Sequence, residues 1–395
     1  MQKYLPLLVS LFCLLCIPAG AQTKRFIHKL GIEGTPAYIL PTNPFLKGYN
    51  AGNTPIRFGY SLHVKYAFQF RPGSETGRIY KGAYQGVGLA YNNFREPQYL
   101  GNPVTAYVFQ GARIAQLAPR LSFNYEWKFG ASFGWKPYDE NQNYYNRVIG
   151  SKINAYLNAG FYLNWSPAST IDLFAGVDFT HYSNGNTRYP NSGLNSSGGK
   201  IGIIYNLNRT KQEIQPASSL SLPDFRQHIS CDVVLYGAWR RKGVFIDDQG
   251  YLAPGAFGVL GFNVNPMYNL THRLKAGISL DGQYDESANI ENYIAAPEET
   301  DNLKFYRPSL QEQIGVGLSA RVEYVMPYFS INFGIGKNFI GKGEDLKGIY
   351  QILALKLSVT RNFFLHIGYQ LHDFRNPNNL MLGIGYRFNN QRQIR

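Results

Sequence analysis

Apolar and polar residues alternate with a period of two over long stretches of this chain. In IDLFAGVDFTHYS, residues 171–183, the odd positions are Ile171, Leu173, Ala175, Val177 and Phe179, and the even ones include Asp172, Gly176, Asp178 and Thr180. GKIGIIYNL places Ile201, Ile203, Tyr205 and Leu207 against Lys200, Gly202 and Asn206, and LMLGIGYRF places Leu380, Leu382, Ile384, Tyr386 and Phe388 against Gly383, Gly385 and Arg387. Successive side chains of a strand point to opposite faces, so each segment predicts a strand with one apolar and one polar side. Such alternation over roughly ten residues per segment is the pattern of a transmembrane β-barrel, apolar toward lipid and polar toward the lumen. About sixteen strands are expected, starting near residues 26, 56, 83, 103, 119, 151, 170, 198, 228, 252, 272, 309, 327, 349, 361 and 380. The expected fold class is all-β, an antiparallel transmembrane β-barrel.

Short breaks at 166–169, 326–328 and 360–362 alternate with long polar ones at 137–150, 184–197 and 285–308. Short turns belong to the periplasmic side and long loops to the outside, so a first strand running outward puts HYSNG at the outer end of the seventh. Residues 209–226 are polar, contain two prolines and do not alternate. They divide the strands eight and eight, into halves spanning 24–208 and 227–390. Two barrels would pair strand 1 with 8 and 9 with 16, whereas one large barrel would pair 8 with 9.

Composition agrees with export to an outer membrane. Tyr, Phe and Gly number 30, 26 and 41, and charged residues are only 16%. A charge at Lys3, an apolar run from Leu5 to Ile17 and the small residues Ala19, Gly20 and Ala21 predict a signal peptide over residues 1–21. After it, no apolar run reaches the length of a membrane helix, and the strand pattern argues against a soluble secreted sandwich. Cys13 and Cys16 lie in the leader, which leaves Cys231 alone and excludes an intramolecular disulfide framework. The formal charge of +14 suits anionic lipid phosphates, and no nucleic-acid partner is expected. The expected location is the outer membrane of a Gram-negative bacterium, with the chain embedded in lipid.

His181 and Ser183 continue the lipid-facing row of their strand. Their Cα atoms should lie roughly 6.5–7 Å apart, close enough for suitable rotamers to join an imidazole nitrogen to the serine hydroxyl, the pairing a serine nucleophile needs. Polar residues at a strand rim also mark the membrane interface without any chemistry. Here, however, Asn184, Gly185, Asn191, Gly193 and Asn195 follow, bringing amide donors and flexible backbone suited to an oxyanion site. H-Y-S-N-G followed by P-N-S-G-L-N resembles the lipid A 3-O-deacylase (PagL) family of outer-membrane barrels, whose pattern is H-x-S-N and then P-N-x-G-x-E. The resemblance covers about half of the chain and is specific over residues 178–207. It implies hydrolysis of an ester-linked acyl chain on the barrel's outer face, with His181 as general base, Ser183 as nucleophile, and Asn184 and Asn191 at the oxyanion, beside Gly193.

Asn195 departs from that pattern, standing where the family has a glutamate. Its side-chain oxygen can still accept the Nδ1 proton of an imidazole, as in Cys-His-Asn proteases. The departure gives a second resemblance, to outer-membrane phospholipase A, with a Ser-His-Asn triad on a barrel exterior. Arg188 and Lys200 are expected to attract lipid phosphates. The substrate is expected to be lipid A or a phospholipid of the outer leaflet, with no cofactor and no metal. A non-catalytic pore or scaffold barrel is the competing class.

The remaining motifs carry less. LHIGYQLHDFRNPNNLMLGIGYRF echoes residues 173–207, but His372 is followed by Asp373 and Phe374, with no serine at the required offset. GIGKNFIGKG lacks phosphate-loop spacing, and His28, His63, His228 and His272 lack metal-ligand spacing. The acidic stretch 286–301 reads as a solvated loop, with calcium binding as the alternative.

Overall fold

The computed structural model describes residues 25–214, 221–246, 249–295, 304–374 and 376–391; the expected leader lies outside them. Strands β1 (Phe26–Ile39), β2 (Phe58–Phe70), β3 (Tyr84–Asn93), β4 (Gly101–Ala118), β5 (Leu121–Trp135), β6 (Ile153–Trp165), β7 (Ile171–Ser183) and β8 (Leu194–Asn206) pair in chain order. β8 returns to β1, from Lys29↔Asn206 to Ile39↔Ser196, and closes an antiparallel barrel. A second closed barrel is made by β9 (His228–Arg240), β12 (Phe257–Asn269), β13 (Leu274–Asp285), β16 (Ile314–Val325), β17 (Phe329–Ile340), β18 (Ile349–Ser358), β19 (Phe363–His372) and β20 (Asn376–Phe388). Its closing pair runs from Leu382↔Gly237 to Phe388↔Cys231. Of the two arrangements the sequence left open, two eight-stranded barrels are therefore the one adopted. Closure pairs every strand on both sides, the condition for crossing lipid with strands.

The period-two pattern translates directly into facing. In β7 the even residues Asp172, Phe174, Asp178, Thr180 and Tyr182 are buried in the lumen, while Val177 of the odd row is 60% exposed. Ile201 at 64% and Leu235 at 61% mark the same lipid-facing surface on β8 and β9. Two expected strand starts in the second half fall on smaller elements. The one near 252 meets β11 (Gln249–Leu252), which forms a hairpin with β10 (Gly243–Ile246) outside the barrel wall. The one near 309 meets a helical turn, Leu310–Gln313, where the Glu312 carboxylate accepts from both the backbone N–H and the hydroxyl of Ser309, a capping box. A further hairpin joins β14 (Ile294–Ala295) to β15 (Lys304–Phe305). In the acidic loop, Glu286 accepts from the Gly258 N–H and meets Arg307.

Both lumens are crossed by clusters of ion pairs. In the first, Lys65 bridges Glu33 at 2.6 Å and Glu126 at 3.1 Å, Lys128 also contacts Glu33, and the Tyr84 hydroxyl donates to Glu126 at 2.8 Å. A cavity of about 410 Å³ lies on one side of this cluster, lined by Lys29, Arg113, Arg120 and Arg209 among others, far from His181. On the other side, Tyr107, Trp135, Tyr156 and Tyr182 pack together. In the second lumen, Asp232 accepts from Arg387 at 2.6 Å and Lys356 at 2.7 Å, and Glu323 accepts from Lys356 at 2.6 Å and Arg387 at 2.8 Å. Buried charges persist only when mutually paired.

Two outcomes follow from these ion-paired lumens. Asp232→Ala leaves Arg387 and Lys356 short of an acceptor and is expected to cost about 3–5 kcal/mol, read as a lower temperature at which the folded, heat-modifiable gel band disappears. Reconstituted in planar bilayers, the protein is expected to pass no steady ion current; a stable ohmic conductance would contradict the packing described here.

Candidate active site

The site starts from one buried side chain. Tyr182 points into the lumen, where its hydroxyl donates to Asn92 Oδ1 at 2.9 Å and its ring packs on Tyr156 and Trp135, with centroids 5.3 and 5.0 Å away. With Tyr182 fixed inward, the pleat turns its two neighbours, His181 and Ser183, outward. Both are half-buried on the lipid-facing row, with Leu157 of β6 opposite His181 and Ala155 opposite Ser183. Ser183 is the last residue of β7, so its hydroxyl stands where regular strand gives way to a turn.

His181 and Asn195 are directly opposed in the β7–β8 ladder, and Asn195 Oδ1 lies 2.7 Å from His181 Nδ1. With Nδ1 carrying the proton, Nε2 is left as the acceptor, the form a general base requires. Gly193 lies against the ring. A Cβ there would come within 2.8 Å of His181 Cε1, and its φ of +71° is one that L side chains rarely adopt. Among the described residues neither Ser183 Oγ nor His181 Nε2 has a hydrogen-bond partner. The two groups lie on the same outward row of β7, and such contacts commonly tighten only when substrate binds.

The turn after Ser183 is tightly bonded. The Asn184 backbone N–H donates to Asn191 Oδ1 at 2.9 Å, its Nδ2 donates to the Arg188 carbonyl at 2.7 Å, and the Thr187 hydroxyl donates to the Asn184 carbonyl at 2.8 Å. Asn184 is thus committed to holding the turn. Among the described residues, the Gly185 N–H and Asn191 Nδ2 remain as donors without a protein acceptor. The return arm is fixed from the 136–152 loop: Arg147 and Val148 carbonyls accept from the Ser192 and Gly193 N–H groups at 3.3 and 3.1 Å.

The structure thus brings His181, Ser183, Asn184, Asn191, Gly193 and Asn195 together at one barrel end. Arg188 is exposed on the same turn. Lys200 is not at the rim and cannot meet lipid phosphates. It is fully buried in the lumen, 3.6 Å from Glu126 and over the Tyr162 ring, because it occupies an even, inward position of its strand's pattern. Sequence reading missed Tyr182, whose place between two polar outward residues was the available signal. It also missed Arg147 and Val148, which contribute only backbone carbonyls and leave no mark in side-chain pattern.

A closed membrane barrel with a histidine–asparagine pair beside a strand-end serine on its lipid-facing row, and with ion-paired lumens, falls in the class of outer-membrane hydrolases rather than pores. Residues 49–203 match the family model for lipid A 3-O-deacylase (PagL), and residues 229–390 match that for the acyloxyacyl hydrolase C-terminal domain. The chain belongs to this family. No curated protein matches it significantly. Among solved structures, Neisserial surface protein A is similar at 7% identity and a TM-score of 0.29, over 46% of this chain and 97% of that one. The FrpB iron transporter from Neisseria meningitidis (F5-1 variant) is similar at 11% identity and a TM-score of 0.22, over 92% and 70%. These distant likenesses carry no argument about function.

Two substitutions test the geometry around the ring. Asn195→Ala removes the partner of Nδ1 and is expected to lower kcat by about 10²-fold, within the range of positioned acid–base catalysis, without loss of the folded gel band. Gly193→Ala, which crowds His181 Cε1, is expected to act in the same direction. An unchanged kcat in both would mean that the ring is oriented by something else.

Proposed function

We propose that the protein is a serine ester hydrolase that removes an ester-linked acyl chain from lipid A at the outer surface of its first barrel. The observation that carries this reading is the His181–Asn195 contact at 2.7 Å, on the same lipid-facing row as Ser183. A lipid ester lying in the outer leaflet reaches that row without entering the lumen. His181 Nε2 takes the Ser183 hydroxyl proton as Oγ attacks the ester carbonyl. The tetrahedral oxyanion is met by the Gly185 N–H and Asn191 Nδ2, donors that have no other partner among the described residues. Collapse expels the sugar alkoxide, which takes the proton from His181 and leaves an acyl-serine. Water, deprotonated in turn by His181, attacks the acyl-serine, and collapse releases the fatty acid as Ser183 Oγ takes the proton back from His181. Asn195 holds the ring throughout. The exposed apolar side chains of Leu157 and Phe179 lie along the same row of the wall and suit an acyl chain, while Arg188 on the turn suits a lipid A phosphate.

Family membership supports the substrate class, and the neutral orienting residue favours keeping phospholipids as the second candidate. Purified protein incubated with lipopolysaccharide is expected to release a fatty acid detected by mass spectrometry, with the matching loss of one acyl chain from lipid A. Ser183→Ala is expected to reduce release at least about 10³-fold. Release that survives this substitution removes the mechanism, and release from glycerophospholipid alone replaces the substrate.

A further inference from the structure

The base and its partner are held entirely by the first barrel, but the turn that follows the serine is not. From residue 185 onward it leans on the second barrel at four places. Gly185, buried and at φ +64°, is covered by Leu380 of β20, whose Cδ1, Cβ and Cδ2 would lie 3.3, 3.5 and 3.7 Å from a Cβ added there. Asn186, also left-handed at φ +64°, donates from Nδ2 to the Asn378 carbonyl at 3.2 Å. The Thr187 carbonyl accepts from the Arg241 N–H at 3.0 Å. Tyr189 packs its ring on Gly243, where an added Cβ would lie 2.7 Å from Cδ2.

The surface that receives the turn is itself anchored. Arg240 is buried, pairs with Asp285 at 2.8 Å, and donates to Ser287 Oγ at 2.7 Å and to the Asn378 carbonyl at 2.5 Å. Lys242 donates to Asp345 Oδ2 at 2.6 Å and to the Ser287 carbonyl at 3.1 Å. The corner at 240–243 is therefore fixed to the second barrel's rim from both sides. At the opposite end of the barrels, Trp127 meets Phe329 edge-on at 5.0 Å, Phe70 stacks on Tyr328 at 6.2 Å, and the Tyr125 hydroxyl points at Met326 Sδ at 3.9 Å. Lipid-facing surfaces gain little from the hydrophobic effect on meeting each other, so association in a membrane rests on such specific packing and polar contacts. Contacts at both ends fix the barrels' relative placement.

We propose that the second barrel is a working part of the active site: through Leu380, Asn378 and the 240–243 corner it clamps the turn after Ser183 and sets the position of the Gly185 oxyanion donor. Leu380 is a positioning residue, acting through Gly185. The proposal rests on the ester-hydrolase reading for its kinetic consequence but not for its structural one. A donor misplaced by about 1 Å can cost on the order of 10² in rate, so loosening the turn affects kcat far more than KM.

The test uses the full chain and two changes confined to the second barrel: Leu380→Ala, which removes the cover over Gly185, and Gly243→Val, which wedges against Tyr189. Each is expected to lower kcat for fatty acid release roughly 10-fold with KM within about twofold, and Leu380→Met is expected to restore most of the loss. Amide hydrogen exchange is expected to quicken at 184–190 in both variants, while β7 and the heat-modifiable band of the folded barrels stay unchanged. Normal exchange at 184–190 in both variants overturns the clamp whether or not the protein proves to be an esterase. Faster exchange with kcat unchanged overturns its catalytic consequence. A parent protein no more active than Ser183→Ala would instead sink the functional reading, and the exchange result would still decide the clamp.

Discussion

In a closed barrel every residue is committed to one of two sides, and a register slip of one would turn each lipid-facing side chain inward. At β7 that commitment is enforced by Tyr182, whose hydroxyl reaches Asn92 across the lumen and whose ring lies in an aromatic layer with Trp135 and Tyr156. The outward projection of His181 and Ser183 follows from this anchor. So does the Asn195 contact, since the same register sets residue 195 opposite 181. The geometry of the proposed site on the outside of this barrel is thus specified from its inside.

The two lumens and the outer wall have divided roles. Inside, charges such as Glu33 with Lys65 and Asp232 with Arg387 and Lys356 satisfy one another and fill the space. A channel would need that space empty. Outside, the wall is mostly apolar, with large exposed side chains such as Ile201, Leu235 and Phe333, and the proposed site lies at its rim. Polar side chains on a barrel's outer face cost least near the membrane interfaces.

Strand number and facing were legible because period-two alternation is imposed by lipid on one side and a polar lumen on the other. Ile171 to Phe179 and Leu380 to Phe388 carry that imprint residue by residue. The outward facing of His181 and Ser183 was legible for the same reason, from parity alone, whereas the role of Asn195 came into view only through the family resemblance. Lys200 was misplaced when expected at the rim, although its own strand's alternation puts it inward. The barrel strands expected near 252 and 309 begin about five residues later, at Phe257 and Ile314, because a hairpin and a capped helical turn begin with the same polar-to-apolar change. Nothing in the chain marked Leu380 or Asn378 as neighbours of Gly185 and Asn186. Their meeting depends on how two closed surfaces dock, and docked lipid-facing residues look like any other lipid-facing residues.

The asparagine in the proposed triad shifts the weight of catalysis. A carboxylate beside Nδ1 both fixes the tautomer and stabilises the imidazolium that forms; a carboxamide does only the first, and only with its oxygen toward the ring. The arrangement here has Oδ1 at 2.7 Å, while the Asn195 backbone carbonyl accepts from Leu40 across the β8–β1 seam. A neutral partner also avoids placing a carboxylate on the lipid-facing row. The stabilisation it forgoes on the imidazolium must come from the oxyanion side, where preorganised donors supply the largest single contribution in acyl transfer. Those donors sit on and beside the 184–190 turn. In the proposed mechanism, a weaker orienter on the first barrel would make the reaction depend more strongly on how firmly the second barrel holds that turn.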